Sequence, residues 1–210
     1  MNNICNKLIK TKKINKENTI IILDWDDTLF PTSWITKNGI NLMDNSMKNK
    51  FTNYFPELDD ILSEFLIKLQ QYGKVIIITN ALPVWVKVSS SILLKTSRIL
   101  NDIKVVSARK NYKNHSANMM DWKKLAFLNE ISNFINMNFL NIISIGDAEY
   151  EHFALINLYK TTKINKILKS IKLMDNPNND VLIDQLKVLL KNAHTLCTNG
   201  ENLDLKFRLK

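Results

Sequence analysis

Residues 19–30 of this chain read Thr-Ile-Ile-Ile-Leu-Asp-Trp-Asp-Asp-Thr-Leu-Phe. The stretch begins with five residues that are mostly β-branched, a run typical of a strand buried on both faces of a parallel sheet. The run ends in two aspartates, Asp24 and Asp26, separated by one residue. This segment therefore predicts a central strand that carries a pair of carboxylates at its carboxyl end.

The same alternation of apolar runs and amphipathic segments continues along the chain. Further strands are predicted at 75–79, 103–107, 141–145, 167–173 and 203–207. Helices are predicted at 56–71, 83–100, from a cap at Asp121 to about 135, at 148–158 and at 179–193. The Asn38-Gly39 pair predicts a tight hairpin turn. Strands that alternate with helices indicate a three-layer α/β/α, Rossmann-like parallel sheet.

In such sheets, ligands bind at the carboxyl ends of the strands, and polar residues recur there in this chain. Two close carboxylates repel each other unless a cation or a shared proton relieves them, and Mg²⁺ suits oxygen ligands near phosphates. The second strand ends in Thr79-Asn80, where the hydroxyl could bond a phosphate oxygen or cap the next helix. The fourth ends in Gly146-Asp147.

Charged residues near these strand ends extend the pattern. Glu149 and Glu151 follow the fourth strand, and either could aim at the same cation. Lys123 and Lys124 stand at a predicted helix start, where a cation is disfavoured unless it faces an anion. One residue changes the helix face by about 100°, so only one of the two lysines can point to the carboxylates.

The order of these elements resembles the haloacid dehalogenase (HAD) superfamily over roughly residues 19–155. The motif ILDWDDTLF is the most specific part, followed by the Gly146-Asp147 motif, whereas Thr79 and Lys123 match by order and spacing. The resemblance implies a HAD-like fold and Mg²⁺-dependent chemistry through a phosphorylated aspartate.

The resemblance also implies roles for individual residues. Asp24 would be the nucleophile and Asp26 the general acid and base. Thr79, Asn80 and Lys123 would bind the phosphate.

The metal site implied by the resemblance uses oxygen ligands only. Asp24, Asp26 through its main-chain carbonyl, Asp147 and Glu151 would hold Mg²⁺. Glu149 is the alternative to Glu151, because the family usually carries aspartate at that position.

Asp26 favours a phosphatase, since dehalogenases of this family lack a second aspartate at that position. About fifty residues separate Thr28 from Thr79, and about forty-four separate Thr79 from Lys123, so neither gap predicts a large cap domain.

Capless relatives often act on macromolecules, which favours a phosphorylated macromolecule as substrate, with phosphoprotein ranked slightly above a nucleic-acid end. The alternatives are a phosphatase for small metabolites or nucleotides and a non-catalytic HAD-fold binding domain.

The remaining expectations come from composition. The net charge of +9 suits a phosphorylated partner, although codon bias toward lysine at solvated positions is the favoured explanation. A lysine run could bind a phosphate backbone or simply be solvated: Lys160, Lys163, Lys166, Lys169 and Lys172. Residues 1–17 are predicted to be a leader and 18–210 a single domain.

The cysteines and apolar runs bear on location, and the tryptophans on the pocket. Cys5 and Cys197 predict a reducing, intracellular location, cytoplasmic or nuclear, and no apolar run predicts membrane insertion. Trp25, between two candidate catalytic aspartates, is predicted to shape the pocket. Trp34, Trp85 and Trp122 fall in apolar patterns and are interpreted as core residues.

Overall fold

The computed structural model describes residues 13–134 and 136–208. In that part of the chain, six strands form one sheet: β1 (Thr19–Leu23), β2 (Lys74–Thr79), β3 (Lys104–Ser107), β4 (Phe139–Gly146), β5 (Asn165–Lys172) and β6 (Leu203–Lys206). The strand order is β3-β2-β1-β4-β5-β6, and every neighbouring pair is parallel.

Helices cover both faces of the sheet. They are α1 (Thr32–Lys37), α2 (Asn45–Thr52), α3 (Pro56–Tyr72), α4 (Pro83–Ser90), α5 (Leu94–Ile99), α6 (Ala108–Tyr112), α7 (Met119–Ser132), α8 (Glu149–Thr161) and α9 (Asn179–Thr198), with a short 3-10 turn at Leu100–Asp102. Helices α3 and α9 bury their apolar sides on one face, and α7 and α8 do so on the other. The predicted three-layer parallel α/β fold is confirmed.

Strand β1 shows why its sequence is apolar without interruption. Ile21 and Leu23 pack into the cluster under α3 and α9, whereas Ile20 and Ile22 pack into the cluster under α7 and α8. Successive side chains of a strand point to opposite faces, so a strand with helices on both sides needs apolar residues at every position.

The helix predicted at 83–100 is wrong in one respect, since the structure divides it into α4 and α5. The break is stabilised by Asp59 of α3, whose carboxylate accepts hydrogen bonds from the backbone N–H groups of Lys95 and Thr96, both at 2.8 Å. These bonds satisfy the free N–H groups that a new helix start exposes. A tertiary contact therefore decides the break.

The hairpin predicted at Asn38-Gly39 is also wrong. Asn38 is the C-cap of α1, and Gly39 follows with φ of 63° in the left-handed region, where glycine commonly ends a helix. Helix α2, which the sequence did not predict, begins at Asp44, whose side chain accepts from the N–H groups of Ser46 and Met47.

Asp121 is likewise not the cap of its helix. Asn118 caps α7 by accepting from the N–H of Met120 at 3.0 Å, three residues earlier than predicted. Ile135, predicted to point inward, and most of the predicted leader lie outside the described residues. None of the described helices combines the length and apolarity needed to cross a bilayer.

Gly73 joins α3 to β2 at a point where the backbone passes very close to β1. A Cβ on Gly73 would lie 2.5 Å from the carbonyl oxygen of Thr19 and 2.9 Å from its carbonyl carbon. Its φ of −174° is ordinary extended backbone, so lack of space is the reason for glycine here.

We expect Gly73→Ala to lower the free energy of unfolding by about 1–3 kcal/mol, because the added methyl group forces β1 and β2 apart. Gly200→Ala is the matched control, since a Cβ there meets no atom within 4 Å. Denaturant unfolding of both variants checks this. Equal stability of the two would contradict the packing argument.

Candidate functional site

Three adjacent strands, β2, β1 and β4, bring the predicted site residues to one edge of the sheet. Asp24 follows β1, Thr79 ends β2, and Asp147 follows β4. The N–H of Asp24 donates to the carbonyl of Ile145 at 3.0 Å, so the parallel hydrogen-bond ladder continues one residue beyond β1. Asp24 is therefore held firmly beside the end of β4.

Lys123 lies at the centre of the charged groups at this edge. Its side chain comes from α7 and is fully buried. The Nζ atom donates to the carbonyl of Ile78 at 2.7 Å and lies 2.8 Å from Asp24 Oδ1 and 2.6 Å from Glu151 Oε1. One lysine thus joins the ends of β1 and β2 to the first turn of α8.

The electrostatic surroundings keep this lysine charged. Burial by itself lowers the pKa of Lys123, but the carboxylates of Asp24 and Glu151 outweigh burial and raise that pKa above its ordinary value. Lys124, the alternative in the sequence, instead pairs with Asp121 at 3.2 Å on a partly exposed face of α7. Of the two lysines, Lys123 is the one in the cluster.

Gly146 provides the space that Glu151 occupies. A Cβ on Gly146 would lie 2.7 Å from Glu151 Cδ, so this side chain packs directly on the glycine backbone. Burial raises the pKa of Glu151, and the neighbouring Lys123 partly counters that rise. Glu149 points elsewhere and lies 3.3 Å from Lys206 Nζ among exposed side chains. Glu151, rather than Glu149, joins the cluster.

Asp147 lies beside this cluster, in a strongly negative environment. Its Oδ1 accepts a hydrogen bond from the buried Thr28 Oγ1 at 3.2 Å, and its carbonyl accepts one from Lys172 Nζ at 2.8 Å. Burial, followed by the nearby charges of Asp24 and Glu151, raises the pKa of Asp147 to about 8. The carboxylates here therefore carry more negative charge than the buried lysine balances.

An oxygen-ligating divalent cation fits this donor set. The described residues contain no group of three or more His, Cys, Asp or Glu side chains arranged to hold a metal. Mg²⁺ needs fewer, because it usually takes one or two carboxylates and completes its shell with water and phosphate oxygens. Asp24 lies close enough to Asp147 for its charge to raise the pKa of Asp147, and a cation between these two carboxylates would relieve that charge.

Asp26 is held by two donors that sequence reasoning missed. Its Oδ1 accepts hydrogen bonds from Thr32 Oγ1 at 2.5 Å and from the indole Nε1 of Trp85 at 2.8 Å. Burial raises the pKa of Asp26, against the lowering effect of the Thr32 hydrogen bond. Trp85 packs against the core cluster, as interpreted from the sequence, and its indole also reaches Asp26. The position of α4, which begins at the same sheet edge as the site, was the available signal for this second contact.

The loop after β1 is fixed by backbone bonds and by Asp27. The N–H of Phe30 donates to the carbonyl of Trp25 at 3.0 Å, and the N–H of Asp27 donates to the carbonyl of Phe30 at 2.7 Å. Asp27 adopts a left-handed φ of 54°, and its carboxylate accepts from the N–H of Ser33 at 2.8 Å and from the Ser33 hydroxyl. This aspartate therefore supports the start of α1.

Thr79 and Asn80 form the turn after β2. The fully buried Thr79 Oγ1 accepts from the N–H of Ala81 at 3.0 Å, which leaves its hydroxyl proton available for another acceptor. Asn80 Oδ1 is buried without a hydrogen-bond partner. The Thr79 hydroxyl thus stabilises the turn as an acceptor and can still donate its proton. Support for the next helix and binding of a phosphate oxygen are therefore compatible roles.

Trp25 does not shape a pocket, contrary to the prediction. Its ring is fully buried, lies parallel to that of Phe30 with centroids 6.2 Å apart, and donates from Nε1 to Ser89 Oγ at 2.9 Å. Trp25 continues the alternation of β1: like Ile21 and Leu23, it points toward the core under α3 and α9.

The lysine run from residue 160 to 172 does not form one basic surface. Lys160 and Lys163 are exposed, but Lys169 is fully buried and donates to the carbonyl of Leu196 at 2.7 Å. Burial lowers the pKa of Lys169 to about 8. Some lysines of the run are thus on the surface, Lys169 is in the core, and Lys172 contacts Asp147 at the edge of the site. They do not form a continuous surface for a phosphate backbone.

We expect Gly146→Ala to displace the Glu151 carboxylate from Lys123, because the new methyl group takes the space of the Glu151 side chain. A misplacement of about 1 Å in a catalytic group costs up to about 10²-fold in rate, so any activity that depends on Lys123 should fall by about that factor. Gly200→Ala serves again as the control. Unchanged kcat in a folded Gly146→Ala protein would show that the Lys123–Glu151 pair is not needed.

Comparisons with known proteins add little beyond the fold. No family model and no curated protein sequence matches the chain. Among solved structures, the chain is similar to the HAD domain of the effector protein Lem4 from Legionella pneumophila, with a TM-score of 0.46 and 12% sequence identity, covering 86% of this chain and 98% of that one. What this protein does must therefore be argued from its own residues.

Proposed function

We propose that this protein is a HAD-like, Mg²⁺-dependent phosphomonoester hydrolase that works through an aspartyl-phosphate on Asp24. The observation that carries this is the contact between Asp24 Oδ1 and the fully buried Lys123 Nζ at 2.8 Å. A cation in that position offsets the charge of the proposed nucleophile and of an incoming phosphate.

In the first half-reaction, a carboxylate oxygen of Asp24 attacks phosphorus, and the bond from phosphorus to the leaving oxygen breaks. Asp26 gives its proton to that leaving oxygen, so the product departs as a neutral alcohol or phenol. The hydroxyl of Thr79 and the amide of Asn80 lie on the turn where a phosphoryl group would meet β2, and we propose that both bind its oxygens.

In the second half-reaction, water attacks the phosphorus of the intermediate, and Asp26 takes the proton that the water loses. The bond between phosphorus and the Asp24 oxygen breaks, which restores the carboxylate and releases inorganic phosphate. Asp26 regains its proton and is ready for the next cycle.

Asp24, Asp147 and the main-chain carbonyl of Asp26 are the proposed Mg²⁺ ligands. The bound ion would draw negative charge from the phosphoryl oxygens. Glu151, the further ligand implied by the family resemblance, stays a proposed ligand: its Oε1 lies 2.6 Å from Lys123 Nζ, and its buried Oε2 has no hydrogen-bond partner among the described residues.

For the substrate, we favour a phosphorylated macromolecule, with phosphoprotein ahead of a nucleic-acid end. Three large apolar side chains lie exposed where α4 and α7 begin, at the same sheet edge as the site: Leu82 (39% exposed), Val84 (53%) and Met119 (47%). Exposed apolar side chains beside a polar site suit contact with a protein surface. The segment between β1 and β2 forms α1, α2 and α3 rather than an inserted cap.

Two other functions are distinguished by experiment. Faster turnover of phosphorylated sugars or nucleotides than of phosphopeptides would favour a small-metabolite phosphatase. A folded protein that binds phosphopeptides but never releases phosphate would favour a binding domain.

We also propose a reducing, intracellular setting, since Cys197 is a buried free thiol.

We expect hydrolysis of a generic aryl phosphate that requires Mg²⁺, stops with EDTA and falls by about 10³-fold or more in Asp24→Asn, because loss of a nucleophile removes the covalent route. Asp60→Asn is the control, since Asp60 is an exposed aspartate paired with Lys95. Phosphate release with each protein is the measurement. Activity that survives in Asp24→Asn would assign the nucleophile elsewhere.

We expect Val84→Asn to raise KM for a phosphopeptide about fivefold, equal to about 1 kcal/mol of lost apolar contact, with little change for the aryl phosphate. Val188→Asn, on α9, is the matched control because that valine is comparably exposed at 49%. Steady-state kinetics on both substrates measures the effect. Equal KM changes in the two variants, or none, would argue against a peptide surface beside α4.

A further inference from the structure

The Asp26 side chain has an uneven set of hydrogen bonds. Both of its donors, Thr32 Oγ1 at 2.5 Å and Trp85 Nε1 at 2.8 Å, meet the same oxygen, Oδ1. No residue in the described part of the chain donates to Oδ2, and Asp26 keeps part of its surface open to solvent. The two oxygens of this carboxyl group are therefore not equivalent.

This asymmetry decides where a proton sits. An oxygen that accepts two hydrogen bonds has its lone pairs engaged, so a proton on Asp26 is better placed on the free Oδ2. The indole N–H of Trp85 is a donor only and cannot take a proton from the carboxyl group. Oδ2 is then the atom that can exchange a proton with a leaving oxygen or a water.

The donors themselves are rigidly placed. Trp85 packs edge-on against Phe30, with ring centroids 6.2 Å apart at 75°, and its Nε1 also lies 3.3 Å from Thr32 Oγ1. Ser89, one turn after Trp85 on α4, donates to the Trp85 carbonyl at 2.7 Å and accepts from the Trp25 indole at 2.9 Å. Two indole hydrogen bonds thus join the loop after β1 to α4.

We propose that Trp85 and Thr32 are positioning residues that hold Asp26 by Oδ1, so that Oδ2 carries out the proton transfers of the reaction. The inference rests on the proposed function and deepens it. Neither residue touches the substrate in this scheme; both act through Asp26.

The test compares substrates that differ in their need for a general acid. A phenethyl phosphate has a poor leaving group and depends on proton donation, whereas 4-nitrophenyl phosphate has a good one and depends on it much less. A well-placed general acid contributes about 10²–10⁴-fold. We expect Trp85→Phe, which keeps the ring but removes the N–H, to lower kcat for the phenethyl ester by about tenfold and for the nitrophenyl ester by less than about twofold.

Two further variants keep the test decisive if Trp85→Phe folds poorly. Thr32→Val removes the other donor at constant shape and should give the same selective loss, and Thr32→Ser should restore the wild-type ratio of the two rates. Trp122→Phe is the matched control, because its indole donates at 2.7 Å to the carbonyl of Ser116, away from Asp26. That variant should keep the wild-type ratio.

The outcomes separate the two proposals. Selective loss on the phenethyl ester, with rescue by Thr32→Ser, supports the positioning role. Equal losses on both esters, or no loss, in an active and folded protein overturn that role and leave the proposed function intact. A wild type that hydrolyses neither ester and releases no phosphate from a phosphopeptide overturns the proposed function, and the positioning role falls with it.

Discussion

The site depends on one buried charge, the ammonium group of Lys123. A cation without solvent is costly unless it is paired and hydrogen-bonded. Here its partners come from three different elements: Asp24 after β1, the carbonyl of Ile78 in β2, and Glu151 in α8, all within 2.8 Å. The cost of leaving any of them unpaired ties the strand ends and two helices into one arrangement. The contacts that hold the site together are therefore also contacts between the layers of the fold.

The charge balance at the sheet edge is the physical basis of the proposed chemistry. Five carboxyl groups are concentrated there, on Asp24, Asp26, Asp27, Asp147 and Glu151, and the buried Lys123 balances only part of their charge. Burial, followed by the charges of Asp24 and Glu151, raises the pKa of Asp147 to about 8, and burial raises the pKa values of Asp26 and Asp27 as well. Such a site binds a divalent cation or holds protons in order to be stable. Both are components of phosphoryl transfer in water.

Several features that depend on neighbouring residues in the sequence were predicted correctly. The continuous apolar run of β1 identified a strand buried on both faces, and the strand-end rule brought Asp24, Thr79 and Asp147 together. The failures have tertiary causes. Asp59 caps the start of α5 through hydrogen bonds from residues that are 36 and 37 positions away in the sequence. The choice of Lys123 over Lys124 depends on the true start of α7, and the link from Trp85 to Asp26 spans 59 residues. Contacts between residues so far apart in the sequence cannot be inferred from local sequence patterns.

The two tryptophans join helix α4 to the loop that carries Asp26, the proposed proton donor. Trp25 faces the core and bonds Ser89, whereas Trp85, four residues before Ser89 on α4, bonds Asp26. Helix α4 also begins just after Thr79 and Asn80, the residues proposed to bind phosphate. The proposed phosphate-binding turn and Asp26 are thus both joined to this one helix. Rigid coupling of this kind supplies pre-organisation that a closing lid would otherwise provide.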